Sequence, residues 1–223
     1  MHGTCRTHAY TTKRPVAAGT IRCLLTAALA GFLAGPVPAI ELEDGWKIRT
    51  GDDPAWAAPS DDDQGWQAVE VGKPWEESGL GDYDGYAWNR LRVMVPKALR
   101  DNDYVRTGRG LVLSLGAIDD VDVTYVNGIQ VGATGTPDQP GNAWQQPRRY
   151  TVPLDTVRWG ETNVIAVRVY DNDGAGGMYT GPYQLAAPSW RDFASMELGM
   201  GRGDGIFPAG SPMALTAQLA NLA

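Results

Sequence analysis

The sequence predicts an all-β fold, an antiparallel β-sandwich or barrel. Apolar and polar residues alternate with period two in several short segments, as in strands with one buried face. Gly, Pro, Asn and Asp, the residues of turns, cut these segments at short intervals. No long amphipathic helical pattern precedes residue 188.

The elements justify this reading in order. "AWNRLRVMV" (87–95) sets Leu91, Val93 and Val95 on one face and Arg90 and Arg92 on the other. "LVLSL" (111–115) is a short buried strand. "VDVTYVNGIQV" (121–131) puts Val121, Val123 and Tyr125 on one side, with Asp122 facing away. Asn127-Gly128 then supplies the positive φ angles of a two-residue hairpin. "TNVIAVRVYD" (162–171) directs Ile165, Val167 and Val169 to the core and Arg168 outward. Two loops are long: the polar, Pro/Gly-rich 132–148 with Trp144, and the acidic "DNDGAGG" (171–177). In a sandwich such loops gather at the sheet ends and carry binding functions.

The two ends of the chain differ from this middle. Lys13, Arg14 and Arg22 precede an apolar run from Cys23 to Ala34, and Val37 and Ala39 fit a cleavage site after Ala39. This is the pattern of a secretory signal peptide over residues 1–39, with export to the periplasm or the medium. The apolar run is short for a membrane span. Residues 188–223 form a Gly/Ala-rich tail in which only "SPMALTAQLANLA" looks weakly helical.

Removal of residues 1–39 takes both cysteines (Cys5, Cys23) and both histidines (His2, His8). A chain without these excludes a Cys nucleophile, a Ser-His-Asp triad and disulfides, and it disfavours zinc. Removal also takes four basic residues and no acidic one. The remaining 15 basic and 26 acidic residues give a net charge of −11. Such a charge argues against nucleic acid or an anionic membrane as partner, and it suits calcium.

Three groups of residues are candidates for chemistry. Asp119, Asp120 and Asp122 suit a calcium site or a glycosidase carboxylate pair, or an acidic turn whose side chains accept backbone N–H bonds. The turn is the reading favoured here. Among the aromatic residues, Trp46, Trp56, Trp66, Trp75 and Trp88 are expected to pack internally. Trp144 stands in a polar loop beside Asn142, Gln145 and Gln146, and it is the candidate platform for the C–H face of a sugar. Tyr179 and Tyr183 follow the acidic loop and join Trp144, Asn142 and Gln145 as ligand-binding candidates. Asp171 and Asp173 offer oxygen ligands of the kind calcium takes, against the plainer reading of an ordinary Asp/Asn/Gly loop.

Taken together, "GDDPAWAAPSDDDQGWQAVEVGKPWE", "DGYAWNRLRV", "LGAIDDVDVTYVNGIQVG" and "GETNVIAVRVYDNDGAGGMYTGP" resemble the galactose-binding-like, jelly-roll sugar-binding domain of glycoside hydrolase family two, the β-galactosidase and β-glucuronidase type. A similar module occurs in sialate O-acetylesterases. The resemblance spans about residues 45–186. It implies a jelly-roll sandwich over 40–187, an acidic run that serves the scaffold, and catalytic acids in a separate barrel. It allows a structural calcium and no other cofactor. The function it implies is non-catalytic carbohydrate binding. The alternatives are a fragment or subunit of a carbohydrate-active hydrolase, and a protein-docking module without a sugar ligand.

Overall fold

The computed structural model describes residues 39–107, 110–139, 141–189, 194–197 and 216–219. They fall within one compact unit, Pro36–Ala223. The expected signal peptide lies outside the described residues apart from Ala39, as do Cys5, Cys23, His2 and His8. Among the described residues no helix is long and apolar enough to cross a membrane.

The expected β-sandwich is present, with two antiparallel sheets. The four-stranded sheet has the order β1 (Ala39–Glu41), β10 (Gly177–Ala186), β5 (Leu111–Asp119) and β8 (Pro147–Val152). The six-stranded sheet has the order β3 (Gln67–Ala68), β2 (Lys47–Thr50), β4 (Gly85–Met94), β9 (Thr162–Asp171), β6 (Val121–Val126) and β7 (Ile129–Thr134). Two short helices, α1 (Lys97–Arg100) and α2 (Asp103–Thr107), connect β4 to β5.

The facing sides of the sheets form the main core. Leu111, Leu113 and Leu115 of β5 pack there with Ile165, Val167 and Val169 of β9 and with Leu91 of β4. Burial of these side chains is the main favourable term in folding. The Asn127-Gly128 turn has φ angles of 50° and 83°, as the hairpin requires. Asn127 also accepts from the Val164 amide (2.9 Å) and donates to the Thr156 carbonyl (2.8 Å), which fastens the hairpin to β9.

A second apolar cluster covers the outer side of the six-stranded sheet. Trp56 and Trp66, on the segment 53–66, pack with Trp88, Ala166 and Tyr125. Trp88 and Tyr125 are stacked at 5.6 Å. All five tryptophans expected to pack internally are buried. On both β4 and β6 the expected alternation holds, and both faces are covered. Arg90 does oppose Leu91, but it is 1% exposed rather than solvated. Its guanidinium donates to the Trp56, Ala58 and Asp61 carbonyls, and its Nε lies 3.3 Å from Asp63. In β6 the main-core side carries Asp122, Thr124 and Val126, because these pair with Val169, Val167 and Ile165. Val121, Val123 and Tyr125 point to the outer side, which is partly dry because 53–66 lies over it.

Asp63 is the anchor of that cover. It takes Arg90, Arg92 (2.9 Å) and Lys47 (3.4 Å). Burial pushes its carboxyl up, yet the three cations hold it below the ordinary value.

The tail departs from expectation. Thr216–Leu219 is not helical but a strand, β12, paired with β11 (Ala194–Glu197) in a separate two-stranded sheet. A short segment has little helical stability of its own, so pairing decides its conformation.

Asp63→Ala leaves Arg90 buried without its counter-charge. It should cost about 3–5 kcal/mol, read from urea unfolding. Asp62→Ala, one residue earlier and exposed, should change stability little.

Candidate functional site

Three connections that cross between the sheets meet at one end of the sandwich, and the register shows why. Asp119 is the last residue of β5 and pairs with Gly177 of β10, whereas Val121 opens β6 and pairs with Tyr170 of β9. The chain therefore changes sheets across Asp120 alone. β9 ends at Asp171 and β10 starts at Gly177, so the acidic loop 172–176 crosses at the same end. β7 ends at Thr134, opposite Asp122, and β8 starts at Pro147, opposite Ala117. The polar loop 135–146 is thus the third crossing.

Arg148 binds two of these connections together, the β5–β6 corner and the 135–146 loop. It is 1% exposed. Its Nε donates to Asp122 Oδ1 at 2.8 Å. Its remaining bonds go to backbone carbonyls: Ala143, Gln146 (2.6 Å) and Asp120 (2.9 Å). Asp122 also accepts from Thr124 Oγ1 (2.7 Å) and the Tyr150 hydroxyl (3.0 Å). Burial pushes the Asp122 carboxyl up, against the pull of Arg148, Thr124 and Tyr150. Asp122 is thereby a buried acid whose oxygens are taken up by Arg148, Thr124 and Tyr150. Sequence reading missed the Asp122–Arg148 pair, because an isolated charge on a strand looks like a solvated face.

The ligand-binding candidates divide. Trp144 sits on a 3-10 turn, Ala143–Gln145, and is 39% exposed. The Tyr179 hydroxyl donates to the Trp144 carbonyl at 2.7 Å, so the structure brings these two together. Burial and the nearby Asp119 push the Tyr179 phenol up, which keeps it a donor. Asn142, Gln145 and Gln146 are exposed around the turn. Tyr183 belongs elsewhere: it is 3% exposed, donates to the Met178 carbonyl (2.8 Å) and accepts from the Gly72 amide (3.1 Å). It is a satisfied core tyrosine with no bond to the Trp144 turn.

At the same end, the Asp119, Asp120 and Asp171 carboxylates converge, with one oxygen of each within 4.8 Å of the others. Asp120 Oδ2 accepts from the Asn172 amide (3.1 Å), which fixes the corner to the acidic loop. Asp171 is fully buried, and neither of its oxygens accepts a hydrogen bond. The Asp173 amide is near enough to pull its pKa down but lacks hydrogen-bond geometry. Asp173 itself is exposed and lies outside this group. Burial and then the neighbouring Asp120 and Asp171 raise Asp119 to about 7. Burial, Asp120, Asp84 and Glu76 raise Asp171 to about 6. The loop is held from the other side by Trp75. A side chain at Gly176 would collide with that indole, and Glu76 accepts from the Gly176 amide.

A separate open cavity of about 450 Å³ lies along β2 and β3, lined by Arg49, Thr50, Asp62, Trp66 and Gln67 among others.

With this geometry in place, comparison with solved structures identifies the fold. A β-glucuronidase from Bacteroides uniformis matches with a TM-score of 0.54 at 20% identity, over 67% of this chain and 18% of that one. A glycosyl hydrolase family 2 member from Bacteroides cellulosilyticus matches with a TM-score of 0.53 at 18% identity, over 72% and 23%. A Ruminococcus gnavus β-glucuronidase matches with a TM-score of 0.50 at 16% identity, over 74% and 32%. The structural neighbours are thus glycoside hydrolases of family two, and this chain spans about a fifth to a third of their length. No protein-family model and no curated protein matches the sequence.

The raised carboxyls have a consequence for stability. The folded values of Asp119 and Asp171 exceed the ordinary 3.8. Folding therefore favours their protonated forms. Their contribution is full below pH 3.8 and is lost as pH rises through about 6 to 7. In chelator-treated buffer Asp119→Asn should gain stability relative to the unsubstituted protein between pH 4 and pH 8. Thermal unfolding across that range checks it; a pH-independent difference contradicts it.

Proposed function

We propose that this chain is an exported, non-catalytic carbohydrate-binding domain that recognises sugar at the Trp144 turn. The observation that carries this is an exposed tryptophan on a backbone fixed from three sides. Arg148 holds the Ala143 and Gln146 carbonyls, and Tyr179 holds that of Trp144. A fixed aromatic face suits the flat C–H face of a pyranose, and a rigid platform loses little entropy when it binds. The exposed amides of Asn142, Gln145 and Gln146 are the hydrogen-bonding groups within reach of such a ligand.

The acids nearby do not form a glycosidase pair on this reading. Asp171 is fully buried and has no access to a glycosidic bond, and Asp122 is occupied by Arg148. Among the described residues there is no His or Cys to serve as base or nucleophile.

One observation favours a second reading, in which the domain works with a hydrolase. The chain matches only 18% to 32% of each family-two neighbour named above. On that reading it is a fragment or subunit of a carbohydrate-active hydrolase of the β-galactosidase or sialate O-acetylesterase kind. The platform would then present sugar to a catalytic domain.

Tryptophan fluorescence titrated with a panel of mono- and oligosaccharides distinguishes these. Trp144 is the exposed tryptophan among the described residues. Binding should therefore give a saturable signal that disappears in Trp144→Ala while unfolding of that variant stays normal. A flat response to every sugar rejects the carbohydrate reading and leaves protein docking. Turnover of a chromogenic glycoside by the protein alone rejects the non-catalytic reading.

A further inference from the structure

We propose that the sheet-crossing corner at Asp119, Asp120 and Asp171 is a binding site for one calcium ion, which ties the β5–β6 corner to the β9–β10 loop. Asp171 is the unsatisfied member of this corner. It is fully buried at the end of β9, and both of its carboxylate oxygens lack a hydrogen-bond partner. A buried carboxylate left without a partner is among the costliest groups a fold can hold. One of its oxygens lies within 4.8 Å of an oxygen of each of two more carboxylates, Asp119 and Asp120.

Among the described residues no cation pairs with Asp171. Arg148 is the adjacent guanidinium, but its hydrogen bonds go to the Asp122 carboxylate and to the backbone carbonyls of Asp120, Ala143 and Gln146. The three converging carboxylates thus present a hard, anionic, all-oxygen donor set on two different connections. Calcium takes six to eight oxygen ligands in flexible geometry, so three carboxylates with backbone carbonyls and water complete a shell. Magnesium demands a stricter octahedron, and zinc prefers nitrogen and sulfur. The residues differ from the Asp171–Asp173 pair that the sequence suggested. The backbone brings Asp119 and Asp120 to Asp171 by strand register, while Asp173 stays in solvent.

The test uses the full chain, stripped with chelator and titrated with calcium chloride by calorimetry, with thermal unfolding in parallel. One saturable site is expected. At a hundredfold excess over Kd, Tm should rise by about 5–10 °C. Asp119→Asn and Asp171→Asn should each weaken binding by roughly tenfold or more, since affinity follows the number of charged ligands. Asp173→Asn should bind as the unsubstituted chain does. Circular dichroism verifies that each variant is folded; the calorimetry and Tm shift of the unsubstituted chain decide the matter if one is not. Absence of binding and of any Tm shift overturns the proposal. So does undiminished binding in folded Asp171→Asn, or an equal Tm shift with magnesium, which would indicate charge screening.

Discussion

The ion pair between Asp122 and Arg148 is the constraint on which the candidate site depends. Both side chains are fully buried, at 2.8 Å. Two charges removed from water are tolerated only when geometry and further hydrogen bonds satisfy them. Here that requirement organises the backbone. Arg148 satisfies itself with carbonyls from the 143–146 turn and from the β5–β6 corner, and so holds two separate connections in a single arrangement. A hydrophobic pair of the same volume would fill the space but would fix neither loop. The exposed Trp144 is positioned as a by-product of keeping a buried guanidinium saturated.

A similar logic runs through the outer layer. Arg90 is buried under the 53–66 segment because Asp63 and three carbonyls receive it. The segment in turn makes a dry surface for Trp56, Trp66 and Trp88. Each sheet therefore has a buried arginine that fastens an irregular segment, one at the sheet-crossing end and one across the outer face. The structure uses arginine forks in the role that disulfides play in many exported domains.

Much of the fold was legible in the sequence, for identifiable reasons. β9 matches its expected bounds residue for residue, and the Asn127-Gly128 hairpin follows from the positive φ its residues tolerate. β10 was harder to see, because Gly181 and Pro182 interrupt it. Gly116 likewise hides the length of β5: it has a positive φ, and a side chain there would strike the Thr180 carbonyl. Trp144 and Tyr179 were singled out by composition and loop context, and the structure brings them into contact. Tyr183 was misplaced because proximity in sequence to a loop does not reveal on which face of an irregular strand a residue falls. The convergence of Asp119 and Asp120 with Asp171 lies about fifty residues apart in the chain. Only strand pairing brings it about.

Hydrogen–deuterium exchange of Arg148→Lys against the unsubstituted chain tests the central claim most directly. Lysine keeps the charge but loses the fork that reaches several carbonyls at once. The account predicts faster exchange in 119–122, 143–147 and 172–177, with protection retained at the far end, around the 126–129 hairpin and its contact at Val164. Unchanged exchange at 143–147, or a uniform loss of protection over the whole sandwich, would contradict the claim that Arg148 builds this end of the molecule.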